Sequence, residues 1–154
     1  MKLDQATLLS VFEYKDGVLY RRKNGKKAGT LHHTGYIQIS HQRTSQNAHR
    51  MIFLMHHGWL PEVIDHIDGN RANNKIENLR PASWRQNLQN MQLRPTNKSG
   101  CKNVSWCNAK RKWSVQLSID GRQTNLGRFD DLELADLVAT EARIKYHGAF
   151  ARHL

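Results

Sequence analysis

The spacing of apolar positions changes period several times along the chain, and each change marks an element. Near the start, Leu3, Leu8, Leu9 and Phe12 predict a short helix. Two turn-rich strands are expected next, "GVLYRR" and "GYIQIS", on either side of a basic "KKAGT" loop; alternation puts Ile37 and Ile39 on one face. "AHRMIFLMHHGWLP" reads as a buried helix closed by Gly58 and ended before Pro61. His49, Arg50, His56 and His57 edge it and are expected at helix ends or the surface rather than as ligands.

The pattern then turns polar. "EVIDHID" predicts a short strand, "GNRANNKIEN" a long loop and "LRP" a return strand. "SWRQNLQNMQ" predicts a helix, started by Ser83 and Gln86 at capping-box spacing. Residues 93–99, with Pro95 and no periodicity, read as a linker.

Strict alternation follows. Trp113, Val115, Leu117 and Ile119 interleave with Ser114, Gln116 and Ser118, and Asp120-Gly121 supplies a two-residue hairpin turn. That turn pairs 119 with 122, 117 with 124 and 115 with 126, while "KNVSW" offers a third strand. "DLELADLVATEARIKYHG" predicts a helix with Ala135, Val138, Ala142 and Tyr146 as its apolar stripe. The expected class is α+β, with residues 1–92 and 100–154 as two domains. The first is a β-rich N-terminal extension on a core of residues 48–92; the second is a three-stranded antiparallel sheet on one helix.

Charge narrows the partner. The chain has 154 residues, 24 Lys+Arg against 13 Asp+Glu, and a formal net charge of +11. So large an excess attracts polyanions, nucleic acid first among them. No apolar run is long enough to span a bilayer, no basic amphipathic helix suits a membrane surface, and the start shows no signal-peptide pattern. Cys101 and Cys107, spaced C-x5-C, offer no zinc pattern and are expected as free thiols in the cytoplasm.

The candidate chemistry lies in "EVIDHIDGNRANNKIENLRP". Hydrolysis of a phosphodiester by one divalent cation needs a base near the attacking water and hard oxygen ligands on the metal. Asn78 follows Asp65 by 13 residues and Asn87 follows it by 22, one turn into the capped helix. On this reading Asp65 and Asn87 supply oxygen ligands and His66 is the base. Asn78 holds the imidazole or its neighbouring backbone. Adjacent strand residues point to opposite faces unless twist or a bulge turns one of them. Gly69, Asn70 and Asn73 are expected to build turns, and Asn74 to buttress the loop.

The stretch "IDHIDGNRANNKIENLRPASWRQNLQN" resembles the HNH endonucleases of the ββα-metal class, of the kind found in phage homing enzymes. The match carries "DH", "G-N-x-x-N-N", "x-x-N-L-R" and "x-x-N" in register over about residues 48–90. The resemblance implies a divalent-metal nuclease with Asp65 and Asn87 as ligands, His66 as general base and Asn78 as the central asparagine. The last family position is often His; the Asn found here favours Mg²⁺ or Mn²⁺ over Zn²⁺. No organic cofactor is implied. A phage-encoded enzyme would work in the cytoplasm of its bacterial host.

The C-terminal stretch resembles the plant ethylene-response-factor (APETALA-type) DNA-binding domain, through Gly100, Val104-Ser105-Trp106, Lys112-Trp113, "DGRQTNLGRFDD", Ala135 and "KYHG". That likeness implies major-groove reading by the sheet. Gln116, Gln123 and Asn125 are the candidates for base edges, and Lys102, Lys110, Arg111, Lys112, Arg122 and Arg128 for phosphates. Plant members carry several Arg and Trp on this face, whereas this chain offers mainly Gln, Ser and Asn. The expected function is nicking or cleavage of duplex DNA, with one site per chain suggesting a monomer that nicks. The alternative is a catalytically inactive DNA-binding regulator derived from such a nuclease.

Overall fold

The computed structural model describes residues 3–152. The outer ends of the two expected domains, residues 1–2 and 153–154, lie outside the described residues. The chain forms two compact units, the first reaching Ser83 and the second starting at Trp84.

In the first unit, α1 (Gln5–Val11) is capped by Asp4, whose carboxylate accepts from the Thr7 amide at 2.8 Å. The chain passes directly into the antiparallel hairpin β1 (Phe12–Lys15) and β2 (Val18–Arg21). Gly17 closes that hairpin at φ +83°, and a Cβ there would lie 2.9 Å from the Lys75 backbone nitrogen. Only glycine lets the turn sit so close to the polar loop. Strands β3 (Thr30–Leu31), β4 (Ile37–His41) and β5 (Thr44–Asn47) make a second antiparallel sheet, in that order. From β5 the chain enters α2 (Ala48–His57), which Gly58 closes.

Helix α2 is the centre of the core. Met51 to Met55 are buried, and Leu8, Phe12, Leu19, Ile39, Ile64 and Leu79 pack around them. This burial fixes the next element, the ribbon of β6 (Val63–His66) and β7 (Leu79–Ala82), because Ile64 and Leu79 belong to the same core. Its ladder runs from Val63↔Ala82 to His66↔Leu79 without a shift.

Strands β1, β3 and β5 depart from expectation. "TL" is too short for a periodic signal, and "TSQN" has no apolar residue to alternate. "FEYK" continues a helix without a break.

The second unit starts with α3 (Trp84–Gln89), directly after Ser83 and shorter than predicted. Strands β8 (Val104–Cys107), β9 (Lys112–Ile119) and β10 (Arg122–Phe129) form the sheet, with β9 central. Helix α4 (Leu132–His147) is capped by Asp131 and lays Ala135, Ala139 and Ala142 inward, Ala135 and Ala139 in one cluster with Val104 and Val115. The predicted stripe differs at one end: Tyr146, in the last turn, is 45% exposed with Lys145 over its ring.

The hairpin pairs 119 with 122 and 117 with 124 as predicted. A bulge between Asn125 and Gly127 then shifts the register, so that Val115 faces Gly127 rather than Leu126, and Arg128 lies across from Ser114. Gly127 adopts φ +138°, with the Phe129 ring 2.9 Å from where a Cβ would stand.

Residues 93–99 form no helix or strand, yet their end is ordered by side chains. Asn97 Oδ1 accepts from the Gly100 amide at 2.8 Å, and Ser99 Oγ donates to the Val104 carbonyl at 2.8 Å. The Lys102 ammonium donates to the Gln89 and Met91 carbonyls, each at 2.7 Å, which ties the end of α3 to the sheet domain. Helix α3 thus belongs to the second compact unit. Among the described residues, no helix is long and apolar enough to cross a membrane.

Candidate active site

Asp65 and His66 are the last two residues of β6, and both are buried. Directly across the ladder from Asp65 stands Arg80. Its Nε and Nη2 both reach Asp65 Oδ2 at 2.7 Å, a charge-assisted pair that lets a carboxylate lie only 3% exposed. No bulge interrupts the ribbon. The chain turns only after His66, whose carbonyl accepts from the Gly69 amide at 2.8 Å.

The His66 imidazole is held from the loop. Its Nε2 lies 3.0 Å from Asn74 Oδ1, and Asn74 is itself buried. With an amide oxygen as partner, Nε2 carries the proton and Nδ1 keeps the basic lone pair. Burial lowers the His66 pKa, and the raising effects of the Asn74 hydrogen bond, Asp68 and Asp65 do not offset it. The ring is therefore neutral at neutral pH, the form a proton acceptor needs.

Asn78 does different work from Asn74. Its Oδ1 accepts from the Asp68 amide at 3.0 Å, and its Nδ2 donates to Asp68 Oδ1 at 2.9 Å and to the Asn73 carbonyl at 2.8 Å. Its carbonyl also accepts from the Ile67 amide at 2.9 Å. Of the two roles open to Asn78, holding the imidazole or the backbone beside it, these bonds make the second; Asn74 grips the ring.

Asp68 is the hub of the loop, a role for which the sequence analysis names no residue. Its carboxylate accepts from the Asn70 amide at 2.8 Å, from Asn73 Nδ2 at 2.7 Å and from Asn78 Nδ2. Burial pushes its pKa upward, but these hydrogen bonds outweigh it and hold the carboxyl below the usual range. The asparagines thus serve two ends, turning the chain and binding one carboxylate.

Of the two placements expected for it, helix end or surface, His49 takes the first. It lies in the first turn of α2 but faces inward, 6% exposed, with its ring centroid 5.1 Å from that of His66 and 5.2 Å from that of Tyr36. Burial, then the neighbouring His66 and Arg50, push its pKa down to about 3. Arg71 stacks over Tyr36 and donates to the Thr34 carbonyl at 3.0 Å, closing this side of the loop. The inward-facing phase of α2 was the available signal: His49 lies three residues before Ile52 and four before Phe53, both fully buried.

Asn87 is half-buried on α3, within the second unit. Among the described residues no group of three or more His, Cys, Asp and Glu forms a metal cluster. The residues in question are of another kind, one carboxylate and one amide. Both are hard oxygen donors, and the carboxylate already attracts a cation. That donor chemistry fits Mg²⁺ or Mn²⁺, ions that keep water among their ligands.

In the second unit, Gln116, Gln123, Asn125 and Arg128 are exposed on the sheet face away from the α4 cluster, with Gln116 directly across from Asn125. Arg122 lies at the exposed hairpin tip, and Lys110 and Arg111 lie in the β8–β9 turn. Lys112 is paired with Asp130 at 2.9 Å. Lys102 is half-buried on two carbonyls, and burial, with Arg143 and Arg152 nearby, lowers its pKa to about 8. Its ammonium is engaged within the second unit by these two carbonyls.

The HNH endonuclease family model matches residues 46–89, from the end of β5 to the end of α3, so this segment is an HNH endonuclease domain. The chain belongs to one family with Protein 3.8 of Escherichia phage T7, to which it is 38% identical over 89 residues, 58% of this chain and 73% of that protein. A solved structure titled "DNA binding and cleavage by the HNH homing endonuclease I-HmuI" is similar at a TM-score of 0.46 and 21% identity, covering 94% of this chain and 82% of that one.

Proposed function

We propose that the chain is a metal-dependent DNA endonuclease that hydrolyses the phosphodiester backbone at the β6–β7 site. The observation that carries this reading is a buried, neutral His66 held through Nε2 by Asn74, beside a buried Asp65, inside the segment of the family match.

His66 Nδ1 takes a proton from water, whose oxygen attacks phosphorus in line. The bond from phosphorus to the 3′ oxygen breaks, leaving a 5′ phosphate and a 3′ hydroxyl once the leaving oxygen takes a proton from solvent. Asn78 and Asp68 keep the backbone after His66 fixed, so the imidazole needs little reorganisation. Asp65 and Asn87 are the oxygen donors that would hold a divalent cation, Mg²⁺ or Mn²⁺, which would supply Lewis-acid stabilisation of the charge that develops on the phosphate.

Residues 100–154 act as an ethylene-response-factor-like domain that positions the enzyme on duplex DNA. Gln116, Gln123 and Asn125 meet base edges, and Lys110, Arg111, Lys112, Arg122 and Arg128 meet phosphates. Each phosphate contact makes the log–log salt slope of binding steeper by about 0.9. One site per chain makes a nick the unit event.

The test is incubation of DNA carrying the target with Mg²⁺ or Mn²⁺, and with EDTA. Metal-dependent open circles from a supercoiled plasmid, absent in EDTA, are expected. Tight duplex binding with no cleavage under any metal would favour a DNA-binding regulator instead.

A further inference from the structure

Arg80 takes no part in the mechanism above, yet its two contacts, each at 2.7 Å, are among the shortest in the candidate site. It stands directly across the ladder from Asp65, and its side chain is 17% exposed against 4% for Asp65. Both Nε and Nη2 converge on Oδ2, each at 2.7 Å, so one oxygen receives two donors from the planar fork. Two bonds from a rigid plane to one atom fix where the rest of the carboxylate points, and a point charge on a flexible stem cannot do this.

We propose that Arg80 is a positioning residue which holds Oδ2 of Asp65 and so aims the carboxylate for a divalent cation. This rests on the proposed metal-dependent function. Carboxylates that ligate metals are commonly oriented by a second hydrogen-bonding group, and loss of that group typically weakens metal affinity 10- to 100-fold. The competing physical account predicts the opposite sign. If the guanidinium only neutralised Asp65 while no metal is bound, it would compete with the cation, and its removal would tighten metal binding.

The experiment is a Mn²⁺ titration of the full chain without DNA, read by electron paramagnetic resonance of the free ion. The variants are Arg80→Met and Arg80→Lys. Affinity 10- to 100-fold weaker in Arg80→Met, and weaker in Arg80→Lys, is the expected result. Unchanged or tighter binding in either variant overturns the inference while leaving the metal reading intact. Absence of Mn²⁺ binding by the unaltered chain overturns both. Should Arg80→Met fail to fold because a buried carboxylate has lost its partner, Arg80→Lys, which keeps the charge, decides alone.

Discussion

The β6–β7 segment and the outer face of the β8–β10 sheet are both rich in side-chain amides and basic residues, Asn with Arg71 and Lys75 in the first and Gln, Asn and Arg in the second, yet they use them in opposite ways. Asp65 and His66 at the end of β6, and Asn74 and Asn78 after them, are buried, and the polar groups there bind one another. On the sheet, Gln116, Ser118, Gln123 and Asn125 face solvent. A buried polar network is rigid because each member is costly to leave unsatisfied, whereas an exposed one can exchange water for a partner. The first arrangement suits chemistry that needs fixed geometry; the second suits recognition. Amino-acid type alone does not separate them.

Substitutions in the two regions should therefore differ in kind. The largest effect falls on His66→Ala, with cleavage about 10² to 10⁴ slower, the range for loss of a general base, while DNA affinity stays close to the original. Next is Asn78→Ala. It strips the Asp68 amide, the Asp68 carboxylate and the Asn73 carbonyl of partners, and should cost about 2–3 kcal/mol in urea unfolding.

His49 gives a pH dependence. Its folded pKa, about 3, lies below the 6.5 of a free histidine, so between these values the unfolded chain binds a proton that the folded chain refuses. The stabilisation is complete above pH 6.5 and is lost as pH falls toward 3, at up to about 1.4 kcal/mol per unit. Urea midpoints followed from pH 7 to pH 4 should fall less steeply in His49→Phe.

The smallest effect on the fold is predicted for the sheet. Gln116→Ala with Asn125→Ala should move stability by less than about 0.5 kcal/mol, the usual range for exposed sites, while weakening duplex binding. A loss of several kcal/mol of stability there would erase the contrast between the regions.

Much of this was legible because it is local. The alternation of residues 113–119, the hairpin turn at Asp120-Gly121, the closure of α2 at Gly58 and the strand–loop–strand of the site all follow from nearest-neighbour chemistry. What escaped depends on partners distant in sequence. Asn74 was read as a buttress because nothing local says its oxygen meets the His66 ring. That His49 at the helix end faces inward depends on Tyr36 and His66. That the Lys102 ammonium meets two carbonyls depends on partners 11 and 13 residues away. The bulged Gly127 sits against the Phe129 ring, and Arg143, at 0% exposure, is held by Lys102 and Asn103, 40 or more residues away, as well as by Thr140 and Asp136 on its own helix.

The central claim is that His66 is the proton acceptor, and single-turnover cleavage by His66→Ala with and without added imidazole tests it most directly. The prediction is a rate reduced at least 100-fold that imidazole partly restores. A variant that cleaves at the original rate would contradict the account.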